Sequence, residues 1–448
     1  MQMLSYRGPN AAGGVSSALG HMFTRETGMN WWYLKDDRLC RHSSQAQQTV
    51  SSFSNEIKDN HYRYCNNFLW PVLHDLPQFA HYSEFERRCY RAFNGAVAAQ
   101  AQEIELEGDI WFINDYQFAI MPRLLQQDSD SLVFWHIPWP KHVLAQHVEP
   151  LTELALCLMN ARVIGFHTQE YVDNFFNFVE AHLDHLHVER TAQSISLKHG
   201  KNRARATTMF VVAPLGVDMD YWRRIVRETK PTFPKQPQTS MVLSVDRCDY
   251  TKGMLERFET IDLFLEMYPE WHENIQFVQI GARSRPGLIE FDQYWQRCRL
   301  QADAVNARFA SSTWQPLLWL EDPIGSEGLA QLYSRADVML VNPLRDGLNL
   351  TAKEFAACQQ GVPGVLALSK SAGAWHELKN GCVSIDPTDK YSLAISINDC
   401  LLMSETEKYR RMHALKDQLE ENLLHEWWQK LLRLYVPRAS VVAEKVCS

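Results

Sequence analysis

No apolar run in the chain reaches the roughly 18 residues that a membrane-crossing helix requires. The opening MQMLSYRGPN has no charged flank followed by an apolar core, so a secretory leader is not expected and a cytoplasmic location is. The ten cysteines include no CxxC pair, the tightest spacing being the 18 positions between Cys382 and Cys400. That spacing argues against zinc knuckles and against a compact disulfide framework, leaving reduced, mostly buried thiols as the expectation. There is also no excess of basic charge. With a formal net charge of −8, no broad positive field favours nucleic acid or an anionic membrane, and an anionic ligand would have to be gripped by individual arginines and lysines. No internal repeat and no low-complexity tract occurs.

What the sequence does contain is a globular composition, 46% hydrophobic and 22% charged, over 448 residues. That length suits two large domains. Short apolar runs recur at 109–114, 132–138, 162–167, 209–216, 241–246, 275–281, 337–343 and 364–369, with longer amphipathic segments between most of them. This alternation predicts an α/β protein with parallel sheets covered on both faces. The charged, proline-rich stretch 219–240 precedes a fresh series of strands and marks a domain boundary, giving domains at 1–225 and 226–425. The segment 185–207, rich in His, Arg and Lys, reads as a solvated hairpin or loop. A long helical pattern over 405–436, containing HEWWQKLLRLY, is expected to close the fold, with 426–448 packing back toward the first domain.

One stretch poses a sharper question. In NPLRDGLNLTAKE, residues 342–354, two carboxylates, Asp346 and Glu354, stand eight residues apart across a strand-loop-helix connection. Pro343 ends the strand and a helix starts near Asn349 or Leu350. The backbone N–H groups of Gly347, Leu348, Asn349 and Leu350 then lie at a helix N-terminus, where they and the helix dipole favour an anion such as a diphosphate. Glu354, a turn further in, is placed to accept hydrogen bonds from a ribose diol. The plainer reading, with Asn349 as a helix cap and both acids solvated, fits this stretch equally well. In LSVDRCDYTKGMLERF, residues 243–258, Arg247 and Lys252 flank a turn ending in Gly253, directly after another strand. Paired cations there suit a diphosphate leaving group whose charge grows as its bond breaks.

Nine runs, in order, resemble the trehalose-6-phosphate synthase family of retaining glucosyltransferases, glycosyltransferase family 20, which includes glucosylglycerol-phosphate synthases. They are YRGPNAAGGV, NFLWPVLH, INDYQF, FWHIPWP, VIGFHTQEYVDNF, VDRCDYTKG, QIGARSR, NPLRDGLNLTAKE and SAGAWHEL. The resemblance implies two Rossmann-like doubly wound domains facing a cleft, the GT-B arrangement. It implies that Arg247 and Lys252 bind the diphosphate of a nucleotide-glucose, that Glu354 binds its ribose, and that the amides of Leu348, Asn349 and Leu350 meet its phosphates. Asp346 and His136 would contact the transferred glucose and Gly14 would cover the donor. On the acceptor side, Arg7 and Arg285 would clamp a phosphate. Asp115 would reach the nucleophilic hydroxyl and Trp70 would pack on the acceptor. The implied reaction moves glucose with retention from a nucleotide-glucose, UDP-glucose first, to glucose 6-phosphate, giving α,α-trehalose 6-phosphate. The departing diphosphate would help deprotonate the incoming hydroxyl, with no metal and no other cofactor. Small molecules are the expected partners, neither nucleic acid nor membrane is, and a homo-oligomer stays open.

Three positions depart from the family pattern. Asn114 and Gln117 flank Asp115 and Tyr116 where histidines are usual, and His61, beside Tyr62, stands where a tyrosine usually contacts the acceptor phosphate. His61 is accordingly placed among the acceptor residues. Trp31, Trp32 and Tyr33 compete for one further acceptor-side position. The departures fall on the acceptor side, so glycerol 3-phosphate, giving a glucosylglycerol phosphate, stands as the alternative acceptor. A regulatory subunit without transferase activity is a second class of reading, set against the presence of Arg247, Lys252, Asp346 and Glu354. A pyridoxal-phosphate-dependent sugar phosphorylase is a third, identifiable by the absorbance of its cofactor.

Overall fold

All eight apolar runs are strands. The computed structural model describes residues 1–9, 13–26, 28–43, 46–104, 109–125, 130–183, 187–191, 194–199, 203–204, 208–229 and 239–434. They form two compact units, residues 1–215 with 424–448 and residues 216–423.

The first unit contains β1 (Gln2–Leu4), β2 (Asn30–Lys35), β3 (Arg38–His42), β4 (Gln47–Ser52), β5 (Ile110–Asn114), β6 (Asp130–Trp135), β7 (Val163–Phe166), β8 (His187–Arg190), β9 (Ser194–His199), β10 (Arg203–Ala204) and β11 (Thr208–Val212). Their order is β10-β9-β11-β7-β6-β5-β1-β2-β3-β4, with β8 paired to β9. From β11 to β2 the neighbours run parallel, and the two margins are antiparallel. The central strands bury both faces, as in β6, where all six residues are buried. Strand order reverses at β1, between β2 on one side and β5 on the other. The expected hairpin over 185–207 is present in the backbone as the antiparallel pair β8 and β9.

The second unit carries β12 (Ser240–Val245), β13 (Ile275–Ile280), β14 (Leu317–Leu320), β15 (Val338–Val341), β16 (Val365–Ser369) and β17 (Val383–Ile385). All are parallel, in the order β14-β13-β12-β15-β16-β17. The order reverses between β12 and β15. In such sheets ligands bind outside the carboxyl ends of the strands at the reversal.

The division between units differs from the expected 225/226 boundary, falling at 215/216, with a return at 423/424. The helix Met219–Glu228 explains the first difference. It turns Met219 and Trp222 inward, Trp222 meets Tyr333 edge-on at 5.8 Å, and Gln331 donates to the Thr229 carbonyl at 2.8 Å, so the helix belongs to the second unit. Much of the charge that suggested a boundary lies within that helix, the prolines follow it, and 230–238 lie outside the described residues.

The single closing helix expected over 405–436 is two helices, Glu405–Glu420 in the second unit and Leu424–Arg433 in the first. The break at 421–423 is held by a bridge from Leu423 to Val217. A Cβ at Gly216 would lie 2.5 Å from the Leu423 carbonyl carbon, so the backbones pass too closely there for any side chain. Among the described residues no helix is long and apolar enough to cross a membrane. Every described cysteine is buried and none is in a disulfide.

The helix Leu424–Arg433 does return to the first unit, as expected. Trp427 is buried, donates its indole N–H to the Ala213 carbonyl at 2.9 Å, and packs against Phe112 and Phe134. Trp427→Ala removes that packing and orphans a buried carbonyl. The substitution is expected to destabilise the first unit by about 3–5 kcal/mol. Urea unfolding followed by tryptophan fluorescence and far-UV circular dichroism checks this. A loss under about 1 kcal/mol would mean that the helix is peripheral.

Candidate active site

In the second unit the loops after β12 and β15, neighbours at the reversal, carry the residues singled out in the sequence. Lys252 Nζ lies 2.5 Å from Asp346 Oδ2, and both side chains are almost buried. Asp346 Oδ2 also accepts from Asn349 Nδ2 at 3.1 Å. Its backbone is pinned to the loop after β16 by Asp346 N–H to the Ser371 carbonyl and Gly373 N–H to the Asp346 carbonyl, each 3.1 Å. A Cβ at Gly373 would stand 2.0 Å from the Gly347 carbonyl oxygen, so SAGAWHEL needs glycine there for the two loops to touch.

The helix Leu350–Cys358 starts as expected. Asn349 is its N-cap, in the left-handed region at φ 78°, and its Oδ1 accepts from the Ala352 N–H at 3.3 Å. The amides before Ala352 have no carbonyl one turn back within the helix. The cap of the plainer reading is thus present, and the Leu348 N–H before it donates to Asp346 Oδ1 at 3.4 Å.

Glu354 sits one turn into this helix. Its Oε2 accepts from the Tyr333 hydroxyl at 3.1 Å, and burial pushes its carboxyl up to about 7 against the pull of that hydrogen bond. It is not the solvated acid of the plainer reading. Tyr333 comes from the helix Ser326–Arg335 and carried no signal in the sequence.

Asp249, inside VDRCDYTKG but assigned no role, proves central. It is wholly buried, caps the turn at Thr251 with Oδ1, and takes Arg285 Nη1 on Oδ2 at 2.5 Å, with Arg247 Nη2 4.0 Å away. Burial alone would raise its carboxyl, but the Arg285 and Arg247 guanidiniums outweigh it and hold Asp249 at about 2. Arg285 follows β13, stacks over Phe291 at 4.7 Å, and adopts φ 44°, a strained conformation for a residue with a side chain. Arg257 is also buried. Its guanidinium joins Asn342 at 2.6 Å, Gln279 at 2.5 Å and Asp246 at 3.0 Å, tying the ends of β15, β13 and β12 together. Gly253, at φ 65°, leaves 2.3 Å between a would-be Cβ and the Asn342 carbonyl oxygen, so the turn after Lys252 admits no side chain.

In the first unit, the loops after β1, β5 and β6 hold Arg7, Asp115 and His136, while Trp70 and His61 lie on the helical stretch between β4 and β5. Asp115 ends β5 at φ 70°, and its Oδ1 accepts from the His136 backbone N–H at 3.1 Å. Burial pushes its carboxyl up to about 7, partly offset by the His136 and Tyr116 amides. The side chain of His136 is buried and bonded through Nε2 to Asn114 Oδ1 at 3.0 Å, and burial drives its basicity down to about 3.

Trp70 directly follows a π-helical segment, Tyr64–Leu69, of the kind that often shifts a side chain at a functional site. It is buried and its ring lies 4.0 Å from that of His74 and 5.9 Å from Tyr116. Arg7, in the loop after β1, is exposed. Gly14 opens the helix Gly14–Arg25, while residues 10–12 of YRGPNAAGGV lie outside the described residues.

His61, expected among the acceptor residues, is enclosed by its neighbours. The imidazole is fully buried, stacked between Tyr6 at 5.7 Å and Tyr90 at 5.4 Å, with Nε2 bonded to the Gln117 carbonyl at 3.2 Å. Burial lowers it to about 4, so it is neutral and offers a phosphate no charge. Its neighbour Tyr62 is half-exposed and stacks on Tyr6 at 6.2 Å. Trp31 and Trp32 are buried, donating to Ser5 Oγ and Gln2 Oε1, and Tyr33 is buried against Gly8.

Comparison with known proteins agrees with this geometry. The model of glycosyltransferase family 20 matches residues 24–435. The chain is 33% identical over 390 residues to a bifunctional trehalose-6-phosphate synthase/phosphatase of Thermoproteus tenax, covering 85% of this chain and 52% of that one. It is 29% identical over 404 residues to a probable alpha,alpha-trehalose-phosphate synthase (UDP-forming) 4 of Arabidopsis thaliana, covering 86% and 49%. The chain thus spans about half the length of these two relatives. Among solved structures, an alpha,alpha-trehalose-phosphate synthase (UDP-forming) from Burkholderia xenovorans in complex with glucose-6-phosphate superposes with a TM-score of 0.88 at 26% identity, covering 96% of this chain and 99% of that one. The family match runs through both Rossmann-like units and takes in every loop that carries a candidate residue except those after β1: the chain belongs to glycosyltransferase family 20.

Proposed function

We propose that this protein is a retaining glucosyltransferase that moves glucose from UDP-glucose to glucose 6-phosphate, forming α,α-trehalose 6-phosphate. The observation that carries this reading is the convergence at the β12/β15 reversal. Two cations, a buried ribose-type acceptor and a helix N-terminus meet there on neighbouring parallel strands, the place where such sheets bind nucleotides. The relatives named as UDP-forming synthases, and the Burkholderia structure holding glucose-6-phosphate, support the choice of substrates.

In this reading Arg247 and Lys252 hold the diphosphate, with the amides of Leu348, Asn349 and Leu350. In the free protein Asp346 keeps the ammonium of Lys252 oriented; with donor bound, it would share that ammonium with the phosphates and turn its other oxygen to the sugar hydroxyls. Growth of negative charge on the leaving diphosphate is then met by charges already in place, which lowers the barrier without reorganisation. Gly14 and His136 also serve the donor in this reading. Arg7, Trp70 and Asp115 serve the acceptor, with Tyr62 in the part first given to His61. Arg285, held by Asp249 and Ser284 Oγ on Nη1, serves the acceptor phosphate. The chemistry calls for no metal, the two cations supplying the positive charge, and the reaction suits a cytoplasmic supply of sugar phosphates.

Purified protein supplied with UDP-glucose and either glucose 6-phosphate or glycerol 3-phosphate tests the reading through UDP release and product mass. A hexose-disaccharide phosphate formed with glucose 6-phosphate is expected. Turnover with glycerol 3-phosphate alone would move the protein to glucosylglycerol phosphate synthesis, and release of no nucleotide with either acceptor would point to a binding role.

Lys252→Ala should lower kcat by about 10²-fold or more, since it removes a cation from the leaving group. A change under tenfold in steady-state kinetics would displace Lys252 from that role.

Glu354→Gln should raise the donor KM severalfold, because a ribose diol loses a charged acceptor. The same substitution carries a stability signature. The Glu354 carboxyl titrates near 7 when folded against 4.5 ordinarily, so the protonated form is the one folding favours. Its stabilising contribution is complete below the unfolded value and is lost as the pH rises through 7. Glu354→Gln is therefore expected to raise the melting temperature of the ligand-free protein most at pH 8 and least at pH 4–5. Scanning calorimetry at both ends decides the point, and an equal effect at both would mean that Glu354 is not buried as charge.

A further inference from the structure

Asn114 ends β5, and its carboxamide can be oriented from its neighbours alone. Nδ2 faces two backbone carbonyls, Leu4 at 3.3 Å and Phe112 at 3.4 Å, which can only accept. Oδ1 is therefore the atom turned to His136, 3.0 Å from Nε2. An amide oxygen cannot donate, so the proton of this hydrogen bond belongs to the imidazole, and His136 is the Nε2–H tautomer. Nδ1 then carries a lone pair. That atom is buried, and among the described residues it has no hydrogen-bond partner. The surroundings keep the ring neutral. Asp115 spends Oδ1 on the His136 backbone amide, Phe134 covers one side at 4.8 Å, and His167 lies 5.4 Å away, with its own Nδ1 accepting from the Leu215 N–H. A buried acceptor without a donor is costly in the free protein and is satisfied by a ligand hydroxyl.

We propose that Asn114 is a positioning residue that holds His136 as the neutral Nε2–H tautomer, keeping Nδ1 as the acceptor for a hydroxyl of the transferred sugar. This rests on the reading that His136 meets the glucose of the donor. The choice of residue matters because an amide supports a single tautomer. A carboxylate at 114 would favour the imidazolium, whose Nδ1–H can no longer accept, and an apolar side chain would release the tautomer.

Long-range ¹H–¹⁵N correlation spectra of the full chain with labelled histidine read the tautomer directly. Nε2 protonated and Nδ1 bare, unchanged between pH 6 and 8, is expected. UDP-glucose should shift the Nδ1 resonance, whereas UDP alone should not. A protonated Nδ1, or an equal shift with UDP alone, overturns the inference.

Asn114→Asp should bring His136 into titration near neutrality and make kcat at pH 6 at least tenfold lower relative to pH 8 than in the parent, with the acceptor KM little changed. Asn114→Leu serves if that variant does not fold, and should give mixed tautomers and a lower kcat. A parental pH profile and tautomer in a folded variant would remove Asn114 from this role. A protein with the expected tautomer and the sugar-dependent shift, but no turnover, would overturn the proposed reaction and uphold this inference.

Discussion

The guanidinium of Arg257 is the interaction on which the candidate site of the second unit depends. It is buried, and it spends its donors on Asn342, Gln279, Asp246 and the Lys252 carbonyl, which stand at the ends of three different strands. A charge this deep is tolerated only when hydrogen-bonded and paired. The planar fork can meet several acceptors at once in fixed directions, which an ammonium cannot do. Its effect is geometric. With the end of β15 and the turn after β12 bound to one rigid group, Lys252 and Asp346 face each other at hydrogen-bond distance before any ligand arrives, the preorganisation that charge-stabilising catalysis requires.

Apart from Glu354, the candidate residues of the two units handle charge in opposite ways. In the second, cations are matched to carboxylates: Lys252 with Asp346, Arg285 and Arg247 with Asp249, and Lys353 with Glu377 at 2.6 Å. Asp249 is held at about 2 as a result. In the first unit the loop residues at the reversal are buried without opposite charges. Burial moves Asp115 up to about 7 and His136 down to about 3, so His136 is uncharged near neutral pH and Asp115 exchanges its proton there. Groups displaced in opposite directions by their surroundings are a mark of a working site.

The departures from the family pattern fit together once the packing is visible. His61 bonds to the Gln117 carbonyl, as does Asn94, so the loop that carries Asp115 is anchored from beneath by two neutral side chains. His61 is thereby part of the support of that loop, and the half-exposed ring beside it belongs to Tyr62. Asn114 is coupled to His136 in the same way. The three departures are contacts of one loop and its underlay.

Much of this was legible in the chain itself. The eight apolar runs, the turn glycines and the Asn349 cap are consequences of local chemistry: side-chain period, backbone conformation and helix-end hydrogen bonding operate over a few residues. The loops that carry the site were legible for the same reason, since each follows a strand whose period announces it. What the tertiary structure decided was everything that turns on distant neighbours. Asp249 and Arg257 looked like ordinary charges until burial made them the supports of the site, and His61 became inaccessible only because Tyr6, Tyr90 and Phe93 close around it. The exchange of chain between units at 215/216 and 423/424 left no periodic trace, because a helix of either unit is amphipathic in the same way. The residue order dictates which faces seek burial; only the assembled fold determines what they are buried against, and with it which charges are matched and which hydroxyl or phosphate each remaining donor and acceptor is left to bind.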